Sequence, residues 1–290
     1  MSVSRAVLEE RVFGVLKWIS IIFFIIICLF PLVYMVALSF KPIQELLINP
    51  GQWWPTLEQV LSFETYRVVL RPVTEGGFGF LTFIRNSTIV AISTVVLTLG
   101  VGILAAYSVA RLNFFGKRTI SFGILMIYLF PVVVLAIPLF VMFSRIGLRG
   151  SLYGLILVYL ASTLPVALYM LRNYFYAIPV ELEEAGMVDG LTRLGVIRRI
   201  TIPLAAPAIA AVALYVFMIA WNEFLYALLF ILERRDLWTL SLGVQQLDGQ
   251  EVPKTVLMAG SVIISIPVIF LFFIAERFLT EGLTAGGVKG

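Results

Sequence analysis

The sequence predicts an all-α polytopic membrane protein with six transmembrane helices. Of the 290 residues, 61% are hydrophobic and only 13% are charged, whereas soluble domains carry about 25% charged residues. Six stretches of at least about 18 residues contain no charged side chain, which is the length a membrane-spanning helix needs. Helices are expected because lipid cannot satisfy backbone N–H and C=O groups.

The uncharged stretches give the order of the spans along the chain. They cover residues 18–40, 86–110, 119–144, 150–171, 200–222 and 255–275. At about 1.5 Å of rise per residue, each stretch can cross about 30 Å of hydrocarbon. The fifth is expected to continue past Glu223 to about Leu232. The first is longer than the apolar region of a signal peptide and has no small-residue cleavage site, so we expect it to be retained.

An even number of spans places both termini on one side of the membrane. With the N-terminus inside, the cytoplasmic segments contain twelve Lys and Arg residues and the outer segments contain nine, which favours cytoplasmic termini. The predicted segments are a cytoplasmic N-terminus (1–17), the first transmembrane helix (18–40), an extracytoplasmic segment (41–85), a core of five spans (86–281) and a cytoplasmic tail (282–290).

The composition excludes several kinds of chemistry. The chain has no histidine and a single cysteine, Cys28, which lies inside an apolar run. A Cys–His nucleophile, a histidine-ligated metal site and a disulfide framework are therefore excluded. No G-x-x-x-x-G-K-[ST] loop is present, so the chain is not expected to bind or hydrolyse ATP.

Polar residues within the spans are candidates for a transport pathway, because such residues are costly in lipid. Asn222 and Glu223 follow a long uncharged stretch and can line a pathway, brace neighbouring helices or lie at the outer interface. Tyrosines within the spans can offer aromatic faces and hydroxyls to a transported solute, but they can equally serve packing. These tyrosines are Tyr128, Tyr159, Tyr169 and Tyr215.

The connection between the fourth and fifth spans, residues 178–203, predicts a helix–turn–helix. Pro179 suits a helix start, and acidic residues fill the first turn that follows it. Gly190 suits the turn, because glycine readily adopts positive φ. A second short helix is expected to begin at Leu191. Apolar residues at spacings of three predict a stripe along one surface, which is also compatible with a plain interfacial loop. The stripe comprises Leu182, Ala185, Val188, Leu191 and Leu194.

This segment resembles the EAA loop of ABC-importer permeases, and we call it the EAA-like loop. The family pattern is Glu-Ala-Ala, three residues, Gly, nine residues, Ile, one residue and Leu-Pro. The matching residues here are Glu184, Ala185, Gly186, Gly190, Ile200, Ile202 and Pro203. Gly186 replaces the second Ala and Ile202 replaces Leu. Segments 105–111 and 221–224 resemble parts of carbohydrate permeases, and the tail 282–290 resembles that of the maltose-type permease subunit.

The resemblance implies a type I ABC importer fold, and a location in a prokaryotic plasma (inner) membrane. It also implies that the EAA-like loop docks on a cytoplasmic ATPase. Partners expected on this basis are a second homologous permease subunit, two copies of the ATPase subunit, an extracytoplasmic solute-binding protein and a sugar; ATP and Mg²⁺ would bind the ATPase, and no nucleic acid is expected. The implied coupling residues are Glu183, Glu184, Ala185, Gly186, Asp189, Gly190, Ile200 and Pro203.

Three other functions compete with an ATP-driven importer. An ion-coupled secondary transporter usually shows internal repeats and intramembrane acid relays, whereas this chain shows no clear repeat and offers only Glu223 as an acid. A membrane enzyme needs convergent catalytic groups, and none are evident. A structural scaffold predicts that replacing Glu184 and Gly190 together leaves transport intact.

Overall fold

The computed structural model describes residues 5–49, 51–129, 132–249 and 252–287, and within these ranges the chain is helical with no strand. The chain divides into two units. The first comprises Met1–Phe78 and Leu247–Ile263, and the second comprises Gly79–Gln246 and Ile264–Gly290.

The first unit contains one long apolar helix followed by short ones. Helix α1 spans Arg5–Ser39, with most of its large apolar side chains exposed, as a helix in contact with lipid requires. The short helices are α2 (Ile43–Ile48), α3 (Leu57–Ser62), α4 (Glu64–Leu70) and a 3₁₀ turn at Val73–Glu75.

Polar contacts fix the short helices of the first unit. The Tyr66 hydroxyl lies 2.7 Å from the Ser39 hydroxyl, and burial raises the pKa of this tyrosine. The buried Lys41 ammonium donates to the Gln52 carbonyl. A capping box formed by Thr56 and Gln59 begins α3. The short helices α2, α3 and α4 are therefore accompanied by specific polar contacts.

The second unit is built around three packed helices. Helix α5 spans Phe80–Arg111, α8 spans Leu152–Ala177 and α12 spans Ala206–Asn222. Small residues at the contacts allow close approach of helices in lipid; Ala106 and Ala167 are fully buried, and Gly102 faces Leu171. Buried Thr98 and Thr163 hydroxyls lie 3.0 Å apart between α5 and α8.

The remaining elements belong to the second unit, except that the last of them begins in the first unit and continues into the second. They are α6 (Lys117–Leu129), α7 (Val132–Arg145), α9 (Val180–Val188), α10 (Arg193–Val196), a π turn (Ile197–Thr201), α11 (Ile202–Leu204), α13 (Leu225–Ile231), a 3₁₀ turn (Arg235–Leu237), α14 (Leu240–Gln246) and α15 (Lys254–Gly287). Helix α15 continues beyond the predicted sixth span, and residues 288–290 of the predicted tail lie outside the described residues.

Within the described residues, four helices are long and apolar enough to cross a membrane, or five if one bent pair is counted as a single span. Three of them, within α1, α5 and α8, correspond to the first, second and fourth predicted spans, and the one within α15 corresponds to the sixth. The third predicted span, 119–144, is covered by α6 and α7, and residues 130–131 between them lie outside the described residues. The number six and the side on which the termini lie therefore stay predictions.

The prediction of a continuous fifth span from Ile200 to about Leu232 is wrong. The chain bends by 79° between Leu204 and Ala206, where Pro203 and Pro207 remove backbone donors. It breaks again at Glu223, whose backbone is extended at φ −66° and ψ 130°. The uncharged stretch therefore contains the end of the EAA-like loop, the span α12 and, after a break, the short helix α13.

Candidate functional site

The EAA-like loop forms the predicted helix–turn–helix. Helix α9 ends at Val188, and Gly190 turns the chain at φ +90°, a conformation that favours glycine. The Leu191 amide donates to the Gly186 carbonyl across this turn at 3.0 Å. The second helix begins at Arg193 rather than Leu191, because the Thr192 hydroxyl accepts from the Gly195 amide and caps it.

Glu183 anchors the loop to the end of α5. Its carboxylate is buried, and the Arg111 Nε donates to it at 3.0 Å. The Tyr107 hydroxyl donates to the other carboxylate oxygen at 3.0 Å, and the Thr201 hydroxyl donates at 3.2 Å to the oxygen that Arg111 also contacts. Arg111 also donates to the Ile178 carbonyl at 2.7 Å. One buried carboxylate thus joins α5, α9 and the π turn that leads into α12.

Apolar packing holds the same loop against the span core. Ile178 and Ile197 are buried with Tyr107, Phe175 and Ala205 in a continuous cluster. Gly186 is also buried, and a Cβ placed on it would lie 2.4 Å from the Ile200 Cδ1. The absence of a side chain at Gly186 therefore allows the two arms of the loop to approach each other closely.

The opposite surface of the loop is uncovered. Val188 is 88% exposed and Leu194 is 67% exposed, and Leu182, Glu184 and Ala185 are exposed as well. Asp189 and Gly190 lie on this surface at the turn. Exposed apolar side chains grouped beside a charged residue are typical of a docking surface.

Glu223 lies at a second polar centre within the helices. Its carboxylate accepts the Tyr159 hydroxyl at 2.7 Å and the Tyr226 amide at 2.9 Å. The Ala227 amide also donates to it at 3.3 Å, so the side chain caps α13. The Ser241 hydroxyl donates to the backbone carbonyl of Glu223 at 2.6 Å. These contacts satisfy the backbone where the helix breaks.

Residues 98–284 match the family described as "Binding-protein-dependent transport system inner membrane component". The chain belongs to this family. Inner membrane ABC transporter permease protein YcjP of Escherichia coli is 38% identical to this permease over 275 residues, covering 92% of this chain and 93% of that protein. Trehalose/maltose transport system permease protein MalG of Thermococcus litoralis is 34% identical over 284 residues, covering 97% and 99%.

A solved structure has the same fold as this permease. A chain of a bacterial ABC transporter involved in the import of the acidic polysaccharide alginate matches it with a TM-score of 0.76 at 22% identity, covering 96% of this chain and 99% of that one. The all-helical fold is thus that of an ABC-importer permease, and the several apolar helices are those of a multi-pass protein of the inner membrane.

The structure separates the residues predicted for a substrate pathway. Asn222 is exposed and donates to the Met218 carbonyl of its own helix at 2.9 Å, whereas Glu223 faces inward to Tyr159. Tyr215 lines a cavity of about 360 Å³ together with Ser162 and Tyr226. The side chain of Tyr128 lies outside the described residues.

Several residues of these sites could not be recognised as such from the sequence. Arg111 and Tyr107 lie within segment 105–111, which carries family resemblance but gives no sign of a contact with Glu183.

The Asn86 side-chain amide donates to the Asp236 and Trp238 carbonyls at 2.9 and 3.1 Å. At the surface, a hydrogen bond from Arg234 lowers the pKa of the Asp236 carboxyl. No cluster of potential metal ligands is present in the described part of the chain.

Proposed function

We propose that this permease forms half of the translocation pathway of an ATP-driven sugar importer, with a disaccharide or oligosaccharide as cargo. Its partners in this proposal are a second homologous permease subunit, two copies of a cytoplasmic ATPase subunit and an extracytoplasmic solute-binding protein. The observation that carries the proposal is the EAA-like loop, which is tied to the spans on one surface and uncovered on the other.

The uncovered surface suits an ATPase cleft. Leu182, Val188 and Leu194 offer apolar area, and Glu184 offers an exposed carboxylate that a cation of the ATPase can meet. Desolvated apolar residues at the centre of an interface supply most of its binding energy. Docking there requires the loop, and hence both termini, to lie on the cytoplasmic side, which is the side that the distribution of Lys and Arg favours.

The buried surface suits transmission of the motion. The Glu183 carboxylate bonds to Arg111 at the end of α5, so a displacement of α9 pulls on a span without an intervening flexible joint. Thr201 bonds to the same carboxylate and precedes the bend that leads into α12. ATP binding would drive transport if the closed ATPase dimer fits one arrangement of these spans better than the other.

The cavity beside Tyr215 suits a sugar. Its lining combines the aromatic residues Tyr215 and Tyr226 and the hydroxyl-bearing Ser162 with apolar side chains. Sugars are bound by such combinations of aromatic faces and a few hydrogen-bonding groups. The related permease of Thermococcus litoralis is named for trehalose and maltose, which supports a sugar of this size here. Glu223 fixes the start of α13, and with it Tyr226, which lines the cavity.

The test replaces Gly190 by Leu in the complete importer, reconstituted in proteoliposomes with its ATPase and binding protein. Leu at φ +90° is strained, so the turn and the uncovered surface should change while the spans remain. We expect ATP-driven uptake of radiolabelled sugar to fall at least about tenfold, a barrier increase of about 1.4 kcal/mol.

Two controls complete the experiment. Gly147, another glycine at positive φ, lies outside the EAA-like loop, and Gly147→Leu should lower uptake far less. Collapsing the proton gradient should leave uptake by the unchanged importer intact. Normal uptake in Gly190→Leu would exclude the coupling role of the loop, and uptake that needs a proton gradient but no ATP would favour an ion-coupled transporter.

A further inference from the structure

A cationic cavity lies where α6 begins beside α8. Its volume is about 770 Å³, and its lining includes Phe114, Phe115, Lys117, Arg118 and Arg172. No carboxylate lines it among the residues that the structure describes. The three basic side chains therefore give the cavity a positive electrostatic potential that none of these lining residues neutralises.

Arg172 is the least satisfied of these cations. Its Nε is buried and has no hydrogen-bond partner in the described ranges. Its guanidinium lies over the Tyr176 ring, 5.2 Å from the ring centroid, which fixes its plane. A buried donor without an acceptor is costly. Because this nitrogen is closed off from the cavity, an anion there would meet the other nitrogens of the guanidinium.

The start of α6 adds donors to the same cavity. Gly116, at φ +84°, turns the chain into this 13-residue helix, and Thr119 in the first turn lines the cavity with it. The first N–H groups of a helix have no partner within the helix, and together with the helix dipole they favour an anion such as phosphate. Here the Lys117 amide donates to the Phe114 carbonyl at 3.3 Å, so the amides that follow it are the ones that can meet an anion. Lys117 donates to the Leu112 carbonyl at 3.0 Å, which holds its ammonium at this helix start.

An apolar cleft continues from the cavity between the spans. It has a volume of about 50 Å³, shares Ser121 and Arg172 with the cavity, and is otherwise lined mainly by Ala106, Val109, Ile124 and Leu168. Such a volume admits only a few methylene groups. A charged cavity that leads into an apolar cleft matches a molecule with a phosphate at one end and a hydrocarbon chain at the other.

The cavity also lies near the ends of two spans. Arg172 is five residues before the end of the span α8, and the cavity begins three residues beyond the end of the span α5. Phe115 is fully exposed beside it, and Phe122 on α6 is 61% exposed. Exposed aromatic and basic side chains at a span end are typical of the headgroup level of the bilayer.

We propose that this cavity binds the phosphate of an anionic phospholipid in the leaflet on the side of the EAA-like loop. Arg172 and Lys117 pair with the phosphate, the N-terminus of α6 donates to it, and the start of an acyl chain enters the cleft. The site depends on α5 and α8 spanning the membrane and is independent of the transported substrate.

The test measures lipid binding to the purified full-length chain by native mass spectrometry in a non-ionic detergent. Phosphatidylglycerol and phosphatidylcholine are titrated separately. We expect one phosphatidylglycerol to bind to the unchanged chain more tightly than phosphatidylcholine. In the double variant Lys117→Gln/Arg172→Gln its affinity should fall about fivefold for each charge removed. The conservative variant Lys117→Arg/Arg172→Lys should retain the preference, and melting temperatures report whether each variant folds.

A matched control and a competitor separate the alternatives. Arg145→Gln removes an exposed cation at the end of α7 and should leave the affinity unchanged. An equal loss of phosphatidylglycerol affinity in Arg145→Gln, or no loss of that affinity in the double variant, would overturn the proposal. So would binding of millimolar inorganic phosphate that displaces the lipid, because the ligand would then be a free anion. Loss of preference in the conservative variant would likewise contradict a site based on charge.

Discussion

The two ends of α5 hold their neighbours in different ways. With 32 residues, α5 is about 48 Å long at about 1.5 Å per residue. At its last turn, Arg111 forms a buried ion pair with Glu183 of the EAA-like loop. At its first turns, neutral groups make the contacts: Asn86 donates to backbone carbonyls, and the Leu240 amide donates to the Ser87 hydroxyl at 2.7 Å.

The buried carboxylate of Glu183 and the partly buried carboxylate of Glu223 follow the same division. Glu183 has a cation within 3.0 Å and two hydroxyl donors. Glu223 has no salt-bridge partner among the described residues, and its donors are the Tyr159 hydroxyl and the backbone amides at the start of α13. The first carboxylate joins α5 to α9 through a charged partner. The second joins α8 to the helix break before α13 through neutral donors.

This difference teaches which end is built to transmit force. A buried pair of full charges is strong and directional only while both partners stay in place. It therefore couples the position of α9 closely to that of α5. Neutral hydrogen bonds to the backbone tolerate small shifts. They suit the other end of α5, where the neighbouring elements have to stay together around a helix break.

The largest expected effect is that of breaking the Arg111–Glu183 pair. Glu183→Gln leaves the buried guanidinium without its counter-charge, and Arg111→Gln leaves the buried carboxylate alone. Each should lower the free energy of unfolding in detergent by about 3–5 kcal/mol, with a matching loss of ATP-driven uptake. The double variant buries no charge, so its loss should be smaller than the sum of the two single losses.

A double-mutant cycle on the melting transition checks this expectation. Strict additivity of the two single variants would show that the pair contributes nothing as a pair. The exposed pair of Arg149 and Glu233, with Glu233 76% exposed, provides the control. Glu233→Gln should change the free energy of unfolding by at most about 1 kcal/mol.

The next effect concerns Glu223. Glu223→Gln keeps a carbonyl oxygen for the Tyr159 hydroxyl and the Tyr226 amide, so it should cost no more than about 1 kcal/mol. Glu223→Ala leaves those donors unsatisfied and should cost about 1–3 kcal/mol. Melting temperatures of the two variants, measured beside that of Glu183→Gln, give the comparison. A loss in Glu223→Gln as large as that in Glu183→Gln would mean that the charge of Glu223 matters as well.

The sequence predicts the parts of this arrangement that depend on local pattern. Long uncharged stretches predicted α5 and α8, because a helix of this length crosses the bilayer and satisfies its own backbone groups in lipid. Pro179 predicted the start of α9, because proline restricts φ to a value that suits a helix start. Gly190 predicted the turn after α9, because glycine readily adopts positive φ. The spacing of the family pattern predicted that residues 178–203 form the EAA-like loop.

The sequence does not predict contacts between distant elements. Glu181, Glu183 and Glu184 look alike in the first turns of α9, and only the position of Arg111 decides that Glu183 is the buried one. The break at Glu223 has no glycine or proline to announce it, since its stability comes from Tyr159 and Ser241. The bend at Ala205 was missed although Pro203 and Pro207 flank it, because a count of uncharged residues ignores backbone donors.

The smallest expected effects come from two buried glycines, one near each end of α5. A Cβ on Gly186 would lie 2.4 Å from the Cδ1 of Ile200, the far end of a flexible side chain that can move aside. A Cβ on Gly243 in α14 would lie 2.5 and 2.9 Å from the Phe83 ring. That ring is buried and packs on the Trp238 ring, with the two ring centroids 5.7 Å apart. It therefore has no free space into which it can move.

Both substitutions gain the same helix propensity, about 1 kcal/mol from Gly to Ala, so the difference between them isolates the contact. Gly186→Ala should leave the melting temperature and uptake close to those of the unchanged permease. Gly243→Ala should lose about 1–3 kcal/mol to overpacking before that gain is counted, and Phe83→Leu should relieve part of the loss. Equal losses in the two variants would mean that the arms of the EAA-like loop are packed as rigidly as the opposite end of α5. The greater adaptability inferred for the Ile200 contact would then have to be abandoned, and transmission through the loop would rest on rigid packing as much as on the buried ion pair.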